Sequence, residues 1–186
     1  ARGLSQIAEV IRRTRVIRAP GEIEILPGIA ALVWPAGHIP GACSYTFRVG
    51  TLRVHYAGDR CSHDQPGIKG APPLPEEWRP TVIAGSDCTY GADPDSDKRN
   101  YRDEMDRGLE LCRQALQRGS KVVIPAFAVY RGGAIAHSLQ AGGLHELGRV
   151  LLDGKCQLYA DIMEKGIGRW SPCDGAIDAS LVERIG

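Results

Sequence analysis

The sequence predicts an α/β fold, and three observations carry that expectation. Apolar segments of strand length alternate with segments of helical periodicity, glycine turns separate the early strands, and the later segments run strand, helix, strand, helix, strand. Leu4, Ile7, Ala8 and Ile11 fall at i, i+3, i+4 and i+7, the stripe of a short surface helix. Arg12, Arg13 and Arg15 follow near its C-terminal end, where the helix dipole favours cations. Residues 22–26 and 29–34 are β-rich and divided by Pro27-Gly28, and residues 43–49 and 51–57 flank Gly50, so the first half reads as a strand meander. After Asp59 comes a Pro/Gly-rich loop of about twenty residues, long enough to serve a function or to pack over a face. Thr81–Ala84 reads as a short apolar strand ending in Ser86-Asp87. Between Arg99 and Arg118, Met105, Leu109, Cys112 and Leu116 recur at helical spacing, and Gly119 supplies the stop. Lys121–Ile124 has the character of a buried strand, Pro125 opens a turn into a helix over Arg131–Leu139, and Cys156–Ala160 is a further strand candidate.

Composition excludes several classes. Hydrophobic residues make up 43% and charged residues 24% of the 186, which is too apolar for a disordered chain. A net charge of +1 supplies no overall field to draw the molecule onto a polyanion, so any nucleic-acid contact must be local. No apolar run approaches the ~20 residues of a membrane helix, which leaves no membrane partner to expect. The six cysteines, Cys43, Cys61, Cys88, Cys112, Cys156 and Cys173, are spread out with no C-x-x-C pair, as in a reduced set of structural thiols. The first residues already look like the interior of a domain, which leads us to expect further sequence upstream.

Three polar side chains stand where strands run out into glycine-containing loops: His38 in Pro35-Ala36-Gly37-His38, Asp59 in Tyr56-Ala57-Gly58-Asp59, and Asp87 in Gly85-Ser86-Asp87. Strand ends in layered α/β folds gather ligands, because rigid strands aim groups that loops leave exposed. One imidazole and two carboxylates are the nucleus of a divalent metal site, and Asp59 could bridge two ions. Each residue alone also fits a plain role, since Gly-Asp after a strand commonly caps its own turn.

Taken in order, Ala36-Gly37-His38-Ile39-Pro40-Gly41-Ala42, Tyr56-Ala57-Gly58-Asp59, Asp87-Cys88-Thr89-Tyr90-Gly91 and Ile124-Pro125-Ala126-Phe127-Ala128-Val129-Tyr130-Arg131 resemble the β-CASP branch of the metallo-β-lactamase superfamily. That branch contains nucleases of RNA 3′-end processing, maturation and decay. The resemblance implies a partial metallo-β-lactamase-type αββα lobe over residues 1–98, with part of an inserted parallel α/β β-CASP lobe over 99–186. It implies a zinc-dependent ribonuclease with two Zn²⁺ per complete site, in which His38 ligates one zinc, Asp59 bridges both, and Asp87 supports the site and its proton movements. A zinc-bound water, its pKa lowered from ~15.7 toward about 7, would attack phosphorus. Arg131, whose planar guanidinium matches phosphate, and Tyr90, whose ring could stack on a base, are the substrate-binding candidates, with Tyr130 as a second stacking or packing ring. RNA is the expected partner and single-stranded DNA the second. The protein would work in the cytoplasm, or in the nucleus of a eukaryote, as a homodimer or a subunit of a processing complex. His55 reads as a core or surface histidine, His63 as part of a solvated loop, and His137 and His145 match no ligand motif.

The sequence also departs from the family pattern. The H-x-H-x-D-H cluster that delivers most of the zinc ligands occurs nowhere in residues 1–186, and the later histidine motifs are not recognisable. Asp87 stands where many relatives have Glu, and Tyr130 where Gly is common. Three readings follow: part of a longer metal-dependent ribonuclease, a catalytically inactive relative serving as an RNA-binding or scaffold subunit, or a small-ester hydrolase of the same superfamily.

Overall fold

A computed structural model of the chain describes residues 3–17, 20–166 and 182–184. Helix α1 spans Leu4–Arg13, and strands β1 (Gly21–Leu26), β2 (Ile29–Pro35), β3 (Cys43–Val49), β4 (Leu52–Tyr56) and β5 (Val82–Gly85) follow. They form one five-stranded sheet in chain order. Neighbours from β1 to β4 are antiparallel, and β5 joins β4 in parallel after the long loop has carried the chain back across the sheet. The sheet is therefore mixed. The predicted meander is present, turning at Gly28 and Gly50 with φ of 78° and 57°, values that favour glycine.

Alternation of side chains along each strand sorts the sheet into two unlike faces. Leu32 pairs with Thr46 and Thr46 with His55, so these share a row, with Glu22 opposite Leu32. This more polar face is the covered one. The loop after β4 lies over it: Trp34 Nε1 donates to the Pro73 carbonyl at 3.1 Å, and the Arg48 guanidinium lies 4.4 Å from the Trp78 ring centre while pairing with Glu22 at 2.5 Å. The opposite face carries Tyr45, Phe47, Val49, Leu52, Tyr56 and Val82, all exposed, with the Tyr45 and Phe47 rings stacked at 6.4 Å. An apolar face of this breadth is what a second layer ordinarily covers.

The second half begins with helix α2, Tyr101–Gln117, capped by Asn100, whose side-chain oxygen accepts the Arg102 N–H at 2.8 Å. Helix α3 spans Arg131–Ala141, strand β6 Val150–Leu152, helix α4 Lys155–Gly166 and strand β7 Val182–Arg184, with β6 and β7 parallel. Ala136, Leu152 and Ala160 form the core where α3, β6 and α4 meet. A glycine is required at 132, because a Cβ there would stand 2.7 Å from Cys156 Sγ.

Two sequence expectations fail in this half. Lys121–Ile124 is not a strand: no neighbour pairs with it among the described residues, and Val123 is 89% exposed. Its β-branched residues suit a pleated strand, but a strand exists only through its ladder. Cys156–Ala160 is helical and lies inside α4, while the strand is the preceding Val150–Leu152. Gly154, at φ 63°, breaks the chain there, and the Gln157 N–H returns to its carbonyl at 3.2 Å to open the helix. The two-stranded β6–β7 pair is what the described residues hold of the expected parallel sheet. Cys43, Cys61, Cys88, Cys112 and Cys156 form no disulfide, and Cys173 lies outside the described residues. Among the described residues no helix is long and apolar enough to cross a membrane.

His55 is buried in the covered face with its Nδ1 2.8 Å from the Thr46 hydroxyl, the core role expected of it. Burial, then the nearby positive charge of Arg60, lowers its pKa from the ordinary 6.5. Neutral imidazole is thus the folded form. The stability it contributes is present above about pH 6.5 and is lost as pH falls through the lowered folded value. The thermal midpoint is expected to drop between about pH 7 and pH 5, and His55→Asn to flatten that drop. An equally steep profile in the variant would exclude His55 as its source.

Candidate functional site

The site is built on two loops that hold each other. Between β2 and β3, residues 36–42 close on themselves, with the Ala36 N–H donating to the Ala42 carbonyl at 2.9 Å and the Ala42 N–H to the Ile39 carbonyl at 3.0 Å. The loop after β4 docks on this turn: the Cys61 N–H reaches the Ala36 carbonyl at 2.9 Å, and the Ala71 N–H reaches the Cys61 carbonyl at 2.7 Å. Gly37 sits at the junction with φ 68°, and a Cβ on it would stand 2.4 Å from both Ala71 N and Cys61 O. Backbone approaches backbone here with no space for a side chain.

This clamp presents His38 beside Asp59. Asp59 leaves the end of β4 just after Gly58, and its Oδ2 lies 3.6 Å from His38 Nε2. The imidazole is 30% exposed and the carboxylate 76%, so the pair opens to solvent. Two donors bound about 2.1 Å from one tetrahedral ion stand about 3.4 Å apart, so this pair fits two corners of a zinc shell. Among the described residues no group of three or more His, Cys, Asp or Glu gathers to complete one.

Asp87 follows β5 and joins the same edge. Its Oδ1 accepts the Thr89 hydroxyl at 2.6 Å and the Thr89 N–H at 2.9 Å. These bonds, with smaller contributions from the Arg60 N–H and the neighbouring His38, hold its carboxyl below the usual carboxylate range. Near neutral pH Asp87 is an ionised acceptor. The structure thus pairs His38 with Asp59 and sets Asp87 beside the Arg60 N–H, within electrostatic reach of His38.

The remaining candidates separate. Tyr90 is 67% exposed. Tyr130 is 2% exposed and packs with Ile68 and Ala134 against Ile39, its hydroxyl donating to the Pro66 carbonyl at 2.7 Å; a ring so enclosed packs and cannot stack on a base. It does so at φ 68°, the one non-glycine residue with positive φ among those described, at the N-terminal boundary of α3. Arg131 is partly buried, its guanidinium 5.3 Å from the Tyr130 ring centre and its Nη1 donating to Gln65 Oε1. Gln65 is buried, and its Nε2 donates to the Gly37 carbonyl at 2.7 Å. Sequence reasoning missed it, since a glutamine in a Pro/Gly-rich loop belongs to no motif. His63 is exposed, its ring 4.6 Å from that of Tyr101. His137 belongs to α3 and His145 to the turn after it.

Gly37→Ala is expected to destabilise the protein by about 3 kcal/mol or more, through a forced clash on top of an unfavourable φ. Gly58→Ala, at φ 60° but with open space around it, should cost about 1–2 kcal/mol from φ alone. Denaturant midpoints measure both, and equal losses would mean that close packing at Gly37 is unimportant.

No family model matches the chain. It is 31% identical over 131 residues to Ribonuclease TTHA0252 of Thermus thermophilus, a match covering 69% of this chain and 28% of that protein. It is 30% identical over 107 residues to Endoribonuclease YSH1 of Candida albicans, covering 56% of this chain and 11% of the relative. The chain thus spans less than a third of the length of either of these curated relatives. These likenesses agree with the four motifs found in order: over more than half of its length the chain is similar to two ribonucleases of the β-CASP branch of the metallo-β-lactamase superfamily.

Proposed function

We propose that this chain is the central part of a metal-dependent ribonuclease, with residues 1–98 in its metallo-β-lactamase lobe and 99–186 in its β-CASP lobe. The apposition of His38 Nε2 and Asp59 Oδ2 at 3.6 Å, at the family's ligand positions, carries the reading. The names of the two ribonuclease relatives support it, and RNA is accordingly the substrate proposed. His38 and Asp59 would hold zinc, with the remaining donors supplied from outside the described residues. When bound, zinc supplies a water of lowered pKa and a positive charge against phosphate.

The chain's own residues do the rest. Asp87, ionised and fixed by Thr89, accepts a proton or a hydrogen bond at the rim. Arg131, tethered through one nitrogen, keeps other N–H donors for a phosphate oxygen, and Tyr90 offers an exposed ring to a base. With a net charge of +1, binding is confined to a few phosphates, and its dependence on salt is correspondingly shallow.

The lack of a third donor among the described residues favours a second reading, an inactive RNA-binding or scaffold subunit. Activity separates the two. The full-length protein should contain close to two zincs and cleave labelled single-stranded RNA, and Asp59→Ala should reduce cleavage below detection while leaving the circular dichroism unchanged. RNA binding without metal or turnover would establish the scaffold, and full cleavage by Asp59→Ala would remove Asp59 from the metal site.

A further inference from the structure

We propose that Gln65 is a positioning residue for His38, and that Arg131, at the start of α3, holds Gln65 in the orientation this needs. The inference rests on His38 as a metal ligand. Gln65 is a buried amide with all its polar atoms directed. Its Nε2 donates to the Gly37 carbonyl at 2.7 Å and approaches the His38 carbonyl at 3.4 Å, while its Oε1 receives Arg131 Nη1. Only one orientation of the amide satisfies these neighbours, since the carbonyls can only accept and the guanidinium can only donate. The peptide units on either side of the His38 Cα are thereby tied to a side chain from another loop.

That loop cannot drift. Gln65 and Ile68 exchange backbone hydrogen bonds at 2.9 and 3.0 Å, and the Tyr130 hydroxyl holds the Pro66 carbonyl at 2.7 Å. Ile68, Tyr130 and Ala134 pack together, with Ile39, the residue after His38, against them. The hydrogen-bonded line Arg131–Gln65–Gly37 and this apolar contact run side by side from the start of α3 to the His38 turn. Glutamine is the residue type the line requires. Glutamate would still accept from Arg131, but once ionised it has no proton for the Gly37 carbonyl and sets negative charge against its lone pairs. Arg131 has a second consequence: its hold on Gln65 makes the His38 backbone sensitive to that arginine without any substrate present.

The test uses the full-length protein without RNA. Zinc affinity is measured by competition with a chromophoric chelator, and amide exchange over residues 36–42 is followed in the metal-free protein. Gln65→Glu and Arg131→Met are each expected to weaken zinc binding about tenfold and to speed exchange of that segment, and Arg131→Lys to restore part of both. A role of Arg131 confined to phosphate would move neither. His38→Ala is the control. If it weakens zinc binding while Gln65→Glu matches wild type in affinity and exchange, the positioning role is overturned and the metal reading stands. If His38→Ala itself leaves zinc binding unchanged, the metal reading falls and this inference with it.

Discussion

The close approach of two backbone segments at Gly37 is the constraint on which the rest of the site depends. The turn after β2 and the loop after β4 meet carbonyl to amide at 2.9 Å between Ala36 and Cys61, and the loop closes on itself at 2.7 Å between Cys61 and Ala71. A glycine at φ 68° fills the junction. Hydrogen bonds between backbone atoms fix position more tightly than side-chain packing, because they involve no rotamer freedom. His38 follows Gly37 directly and Asp59 precedes Cys61 by two residues, so the same clamp sets both donors and their separation.

The sheet beneath this clamp has an unusual division. Its covered face carries Thr46, His55, Arg48 and Glu22, and its open face carries a continuous set of aromatic and aliphatic side chains. Buried polar groups cost stability unless bonded, and the buried Thr46 and His55 bond to each other, while the half-exposed Arg48 pairs with Glu22 and lies over the Trp78 ring. The Arg48–Trp78 contact and the bond from Trp34 Nε1 to the Pro73 carbonyl fasten the long loop to the sheet. The loop in turn carries Cys61, Gln65 and Ala71, which hold the site.

Much of this was legible in the sequence, for physical reasons that differ by element. The meander follows from apolar runs cut by glycine-bearing turns, a local signal that tertiary contacts did not override. His38, Asp59 and Asp87 stand out as candidates because each lies where a strand ends in a glycine loop, and because the surrounding blocks resemble a known family. Lys121–Ile124 misled because β-branched composition reports suitability for a strand and not the presence of a partner. Cys156–Ala160 misled because five residues are too few to separate a period of two from one of 3.6. Tyr130 could have been read as packing or stacking, and only its burial decides. Gln65 was invisible, since its importance lies in what surrounds its amide and those neighbours come from positions far apart in the chain.

The central claim is that His38 and Asp59 are held as two corners of one metal shell. Crystals of the full-length protein grown with zinc and measured on both sides of the zinc absorption edge test it most directly. The account predicts an anomalous peak within about 2.0–2.2 Å of both His38 Nε2 and Asp59 Oδ2. A fully occupied zinc elsewhere, with these two side chains left bound only to each other or to solvent, would contradict it.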